Sequence, residues 1–197
     1  MKKLLVIISA AIMSLSITSA SNADNWGVGV TAALTELDTS GTQTLKDTGG
    51  TTSTSITEDV ALPELFVEYQ MDSGVAFGVS YIPVQELGSK SRTDTDIATA
   101  TNKASAELDN LFMFYLDYPI YENVYVKGGI QHTTIVTTEN LGTGSSYDDE
   151  DVLGYTLGLG VKGDLPYGNG LFYKAEVSYT DFDEYSDTST NGEGNKV

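Results

Sequence analysis

Residues 152–179 read VLGYTLGLGVKGDLPYGNGLFYKAEVSY. Leu153, Tyr155, Leu157, Leu159 and Val161 share one parity, and Gly154, Thr156, Gly158, Gly160 and Lys162 fall between them. Apolar residues at every second position mark a β-strand with one greasy face. The Pro and Gly of residues 164–170 end that strand. Beyond them Tyr173, Ala175, Val177 and Tyr179 alternate with Lys174, Glu176, Ser178 and Thr180. Each arm of this hairpin has the roughly ten residues and flanking Tyr expected of a strand that crosses a lipid bilayer.

The same alternation recurs along the chain. Residues 26–37 set Trp26, Val28, Val30, Ala32 and Leu34 against Gly and Thr, and residues 59–69 set Leu65, Val67 and Tyr69 against Glu64, Phe66 and Glu68, with Pro63 marking a bulge or strand end. Residues 75–83 place Phe77, Val79 and Tyr81 outward. Residues 106–118 alternate Leu108, Phe112, Phe114, Leu116 and Tyr118 with Asp109, Leu111, Met113, Tyr115 and Asp117, so both faces are bulky. Residues 124–136 oppose Val126 and Ile130 to Tyr125, Lys127, Gln131 and Thr133. Seven runs are present. The connections alternate in length: residues 38–58, 85–104, 137–151 and 183–196 are long and polar, whereas 70–74, 119–123 and 164–170 are short. Long connections at one end and short turns at the other are the asymmetry of a transmembrane β-barrel.

Met1-Lys2-Lys3, the apolar stretch 4–17 and the small residues 18–23 follow the order of a secretory leader, with cleavage after Ala20 or Ala23. The apolar stretch is shorter than the roughly 20 residues a spanning helix needs. The remainder, 24–197, is expected to be one barrel domain. The 197-residue chain carries a net charge of −18, which excludes nucleic-acid binding through phosphate neutralisation. It has no Cys, which excludes a disulfide framework, a thiolate metal site and a cysteine nucleophile.

The leader, the Trp26-Gly-Val-Gly-Val start, residues 124–130 (VYVKGGI) and residues 154–162 (GYTLGLGVK) before a Pro and Gly turn resemble the small eight-stranded outer-membrane barrels of the OmpA-like and opacity-protein type. The resemblance implies an all-β, antiparallel, up-and-down transmembrane barrel in the bacterial outer membrane. Its implied partners are outer-membrane lipid, lipopolysaccharide and the barrel-assembly machinery, with no cofactor. Such barrels close on an eighth strand with a terminal aromatic. With seven runs and Val197 at the end, the expectation is a chain truncated by about one C-terminal strand, since an unpaired edge in lipid leaves backbone groups unsatisfied.

By parity, Glu64, Glu68, Asp117 and Glu176 share the lumen with Lys127, Lys162 and Lys174. Opposite charges out of water must pair or stay hydrated, and an eight-stranded barrel is just wide enough for side chains to fill. These residues are therefore expected to plug the lumen. Trp26, Tyr69, Tyr81, Tyr118, Tyr173 and Tyr179 are expected at the membrane interfaces. Gly158-Leu-Gly-Val-Lys-Gly163 fits a dinucleotide-binding pattern, but no helix follows it, so its glycines are small inward residues. His132, the one His, falls on the lipid parity with Val126 and Ile130, unsuited to a catalytic triad. Asp148, Asp149, Glu150 and Asp151 offer the oxygens calcium takes, without the spacing of an EF-hand loop. The expected function is a non-enzymatic barrel that supports the envelope and presents acidic loops for interaction or adhesion. The alternative is an OmpW-like or porin-like passive channel for small solutes, against which Tyr115, Tyr125 and the seven inward charges argue.

Overall fold

The computed structural model describes residues 4–20, 25–44, 51–94, 100–140, 148–166, 171–183 and 185–187. Cleavage site Ala23 and the chain end at Val197 lie outside them. The described residues form ten strand segments: β1 (Leu4–Ala20), β2 (Trp26–Thr44), β3 (Thr51–Gln70), β4 (Ala76–Ile82), β5 (Gln85–Asp94), β6 (Ala100–Tyr121), β7 (Val124–Asn140), β8 (Glu150–Asp164), β9 (Leu171–Phe182) and β10 (Tyr185–Asp187). Every pairing between them is antiparallel. β4 and β5 are two pieces of one stave, broken at Pro83-Val84, because both lie along β6. β9 and β10 both lie along β1. The architecture is an eight-staved up-and-down barrel, with each stave beside its neighbour in sequence.

The closing position was expected for a strand beyond Val197. It is taken by β1, the segment read as a leader, which pairs with β2 from Val6↔Gly41 to Ala20↔Gly27 and with β9 from Ser9↔Asp181 to Ser19↔Leu171. The requirement that put a strand there is unchanged, since both edges of a sheet in lipid must be paired. The register suits the role. Met13, Leu15 and Ile17 fall opposite Leu34, Ala32 and Val30, which face outward, while Ser14 and Ser16 fall opposite the inward Glu176 and Lys174.

The facing read from period two holds on β2, β3, β4, β7, β8 and β9. Val28, Val30, Leu65, Val67, Phe77, Val79, Ile130, Leu157, Leu159 and Val177 are exposed on the outer surface, and their odd or even neighbours are buried in the lumen. β6 departs from it. Its pairing with β7 slips between Asp109 and Phe112, and Asn110 sits at φ 51°. This β-bulge inserts a residue and inverts the parity beyond it, so Leu108 is buried rather than outward.

The polar connections also depart from expectation. Much of 38–58 and 85–104 is paired strand, as β2 runs to Thr44, β3 begins at Thr51 and β5 pairs β6 from Gln85↔Leu108 to Asp94↔Ala100. Alternation reports one buried face. Residues 38–58 and 85–104 are largely Thr, Ser, Gly and charged residues, so their ladders leave no apolar period in the sequence.

The ladder between β3 and the broken stave is partial. β3 pairs β4 only from Leu65↔Tyr81 to Gln70↔Ala76, and β5 pairs β6 alone, so among the described residues the wall is split between residues 51–64 of β3 and β5. Pro63 and Pro83 lie at the foot of the split. Proline has no N–H to give to a ladder.

Candidate functional site: a layered lumen

The inward side chains separate into three layers. At the short-turn end, β3, β6, β7 and β9 aim Glu68, Asp117, Lys127, Lys174 and Glu176 at one another. Lys174 Nζ stands 2.8 Å from Glu68 Oε2 and 2.5 Å from Asp117 Oδ2, and Lys127 Nζ stands 2.7 Å from Glu176 Oε2. All five are buried, Asp117 to 1% and Glu68 to 2% exposure, so these ions lack the water that weakens surface pairs.

Two tyrosines complete this layer. Tyr115 donates its hydroxyl to Glu68 Oε2 and Tyr125 donates to Glu176 Oε2, each at 3.0 Å. Their rings also flank the ammonium groups: Lys127 Nζ is 4.3 Å from the Tyr115 centroid, and Lys174 Nζ is 5.0 Å from that of Tyr125. The rings fit because glycine stands opposite. A Cβ at Gly78 would overlap Tyr115, and one at Gly160 would overlap Tyr125. The Gly158–Gly163 pattern thus contributes room for a ring, as its β-strand setting implied.

Five of the seven predicted lumen charges therefore meet. Glu64 lies beside them, lining a void of about 10 Å³ with Thr31, Phe66, Tyr115, Lys127, Lys174 and Glu176. Lys162 lies outside the cluster, bonded to Gln70 Oε1 at 3.2 Å, at the edge of a turn-end vestibule of about 610 Å³. The cluster holds three carboxylates against two ammonium groups, and Asp117 Oδ1 has no hydrogen-bond partner.

The middle layer is neutral and polar. Gln131 Nε2 donates to Thr156 Oγ1 at 2.6 Å and Thr180 Oγ1 at 3.0 Å, and the two threonine hydroxyls are 2.8 Å apart. Sequence parity turned these residues inward without revealing that they meet.

The third layer, toward the long hairpins, is apolar. Ala33, Leu62, Ile82, Leu108, Leu111, Ile135, Val152 and Phe182 form one buried cluster, with Val60 and Leu87 packed at its edge. The expectation that inward charges and tyrosines keep the lumen from being apolar holds only for its turn-end half. Two of the misread signals were Leu108, reversed by the bulge, and Leu87, on a strand read as loop.

The aromatic positions fall at two levels. Trp26 and Tyr69 pair edge to face at 5.2 Å, and Tyr118 and Tyr173 lie at the same turn end, with Tyr118 exposed. At the other end Tyr81 packs on Phe112 at 4.9 Å and donates to Asn110 Oδ1 at 2.7 Å, and Tyr179 is exposed opposite Leu157. His132 is exposed on the outer surface, opposite Phe112 and Leu153. The acidic run is strung along the start of β8. Asp151 accepts from Thr134 Oγ1 at 2.6 Å and Asp149 from the Thr137 amide at 3.4 Å, and no group of three metal-ligating side chains gathers among the described residues.

A closed antiparallel barrel with an apolar outer belt and buried charges inside is the arrangement of a membrane protein that crosses with strands. Residues 5–195 match the family model of the outer membrane protein beta-barrel domain. The chain belongs to that family. No curated protein matches it. Among the described residues no helix is long and apolar enough to cross a membrane. In this family the strands make the crossing, and membership points to the outer membrane as its location.

Proposed function

We propose that this outer-membrane barrel is non-enzymatic and non-conducting, that it stabilises the cell envelope, and that it presents acidic hairpins for interaction or adhesion. The observation that carries the reading is Lys174 held between Glu68 and Asp117 at the centre of the turn-end lumen. Hydrated ions have no room to pass five buried, mutually paired charges flanked by two tyrosine rings. At the opposite end Glu58, Asp59, Glu86, Asp148, Asp149 and Asp151 are exposed, which supports an acidic external surface facing lipopolysaccharide. His132 faces outward between apolar neighbours, which supports a role at the interface rather than in catalysis.

Residues 1–23 direct export through the periplasm in this reading, and cleavage frees the barrel for the assembly machinery. The same residues supply β1 between β2 and β9, so a retained segment closes the barrel and a cleaved one leaves two edges open. The intact mass of the protein extracted from outer membranes tests the cleavage. Single-channel recording in a planar bilayer tests the closed lumen. The folded barrel is expected to leave the membrane silent, and discrete conductance steps that change on Lys127→Gln or Glu68→Gln would make it a channel.

A further inference from the structure

We propose that the vestibule at the short-turn end is a binding site for a short free peptide, which enters carboxyl end first, its carboxylate on Lys162 and its basic amino end among the carboxylates of the turns. The cavity measures about 610 Å³, a size typical of sites that hold small molecules. Its lining comes from β2, β3, β8, β9 and the short turns, with no residue of β1. It lies on the turn side of the charged floor, so the inference goes beyond the closed-lumen reading and stands whether or not that floor conducts.

Lys162 is the anchor. β8 and β3 are opposite walls of the barrel, with three staves between them on either side, and Lys162 Nζ reaches across to donate to Gln70 Oε1 at 3.2 Å. Lys127 and Lys174 are matched by carboxylates, whereas the described partner of Lys162 is a neutral amide. An ammonium group has three N–H donors, and an amide oxygen engages one of them without balancing the charge. Glu68 also borders the cavity, but its carboxylate is engaged by Lys174 and Tyr115. Lys162 is half-buried, so a ligand carboxylate beside it is attracted more strongly than at an open surface.

The mouth of the cavity has the opposite sign. Asp72, Glu122 and Asp164, one from each short turn, are exposed around it. They repel a simple anion such as phosphate and favour a ligand that is positive where it leaves the cavity. Together the two ends select a zwitterion with separated charges, which is the arrangement of a peptide with free ends. Between them Phe172 sets its ring against Gly27, where a Cβ would come within 3.2 Å of it, and this gives the middle of the ligand an apolar wall. The frame is tied before any ligand arrives. The Gln70 amide bonds Asn25 O at 2.8 Å, the Lys162 amide bonds Asn123 O at 2.9 Å, and Asn25 Nδ2 reaches Asp72 Oδ1 at 3.3 Å. A site already ordered loses less entropy on binding.

The test is equilibrium dialysis of radiolabelled lysyl-alanyl-alanine against the folded full-length protein in detergent micelles at low salt, where both ends of the barrel meet solution. Saturable binding is expected. Amidation of the carboxyl end is expected to weaken it about tenfold, the scale of a hydrogen bond to a charged group. Lys162→Met is expected to weaken the unmodified peptide by the same factor, with no further loss on amidation, and Lys162→Arg is expected to retain binding. Acetylation of the amino end is expected to weaken binding about threefold, as for an exposed ion pair, and to have no effect once Asp72→Asn, Glu122→Gln and Asp164→Asn are combined. The shift on unheated gels verifies that each variant is folded. Absence of saturable binding to the wild-type barrel, or an amidation loss of equal size in Lys162→Met, would overturn the site. An acetylated peptide that binds wild type as well as the free one would also overturn it, by assigning the cavity to the tails of larger chains.

Discussion

Lys174 and Asp117 are 57 residues apart on β9 and β6, and across the lumen their Nζ and Oδ2 atoms stand 2.5 Å apart. With Glu68 on the other side of the same ammonium group, one cation holds two carboxylates from different staves. Removing it leaves three buried carboxylates to a single Lys127. Lys174→Met is expected to destabilise the barrel by about 3–5 kcal/mol, measured as the urea midpoint of folding into lipid vesicles. Adding Glu68→Gln and Asp117→Asn to that variant is expected to recover most of the loss, because the uncompensated charge then disappears.

Tyr125 and Gly160 act as a unit. Gly160→Ala places a methyl group where the Tyr125 ring lies, and such overpacking costs about 1–3 kcal/mol. In a Tyr125→Ala background the same substitution is expected to cost little, so the double-mutant cycle shows a coupling of similar size. Tyr125→Phe keeps the ring and removes the donor to Glu176, an expected loss of about 1.5–3 kcal/mol for a hydrogen bond to a charged group.

Asn110 has a backbone role and a side-chain role. At φ 51° it allows the bulge that turns Leu108 inward, and its Oδ1 accepts from Tyr81. Asn110→Gly is expected to lose the hydrogen bond from Tyr81 and the one that Asn110 Nδ2 donates to Asp109, about 0.5–1.5 kcal/mol each. Asn110→Ala is expected to lose more in the same folding titration, because alanine adopts a left-handed backbone less readily.

His132 is exposed on the outer wall and meets Phe112 and Leu153 across its two ladders. His132→Gln is expected to change the folding midpoint by no more than about 0.5 kcal/mol, as for surface positions without a special contact. A loss of several kcal/mol would mean that the side chain reaches into the wall.

What could be read from the residues in order was everything that repeats locally. Leu157 and Leu159 face out and Gly158 and Lys162 face in because successive side chains on a strand point to opposite sides, a consequence of backbone geometry alone. The short turns after Gln70, Tyr121 and Asp164 and the inward direction of the seven charges follow from the same rule. The bulge at Asn110 escaped it, since both faces of that stave are bulky and a parity shift leaves no mark. The paired hairpins beyond the belt escaped it too, because ladders rich in Thr and Ser have no apolar period.

Which charge meets which was a matter for the assembled barrel. Register between β6 and β9 is set by every stave in between, so nothing near Asp117 in the chain names Lys174 as its partner or leaves Lys162 outside the cluster. The same holds for closure by Leu4–Ala20, for the apolar layer gathered from seven segments around the lumen, and for the split at Pro63 and Pro83. Period two is a property of one strand. Pairing, layering and the places where a ladder stops are properties of strands brought side by side, and the energies that select them arise only once water has been driven from between them.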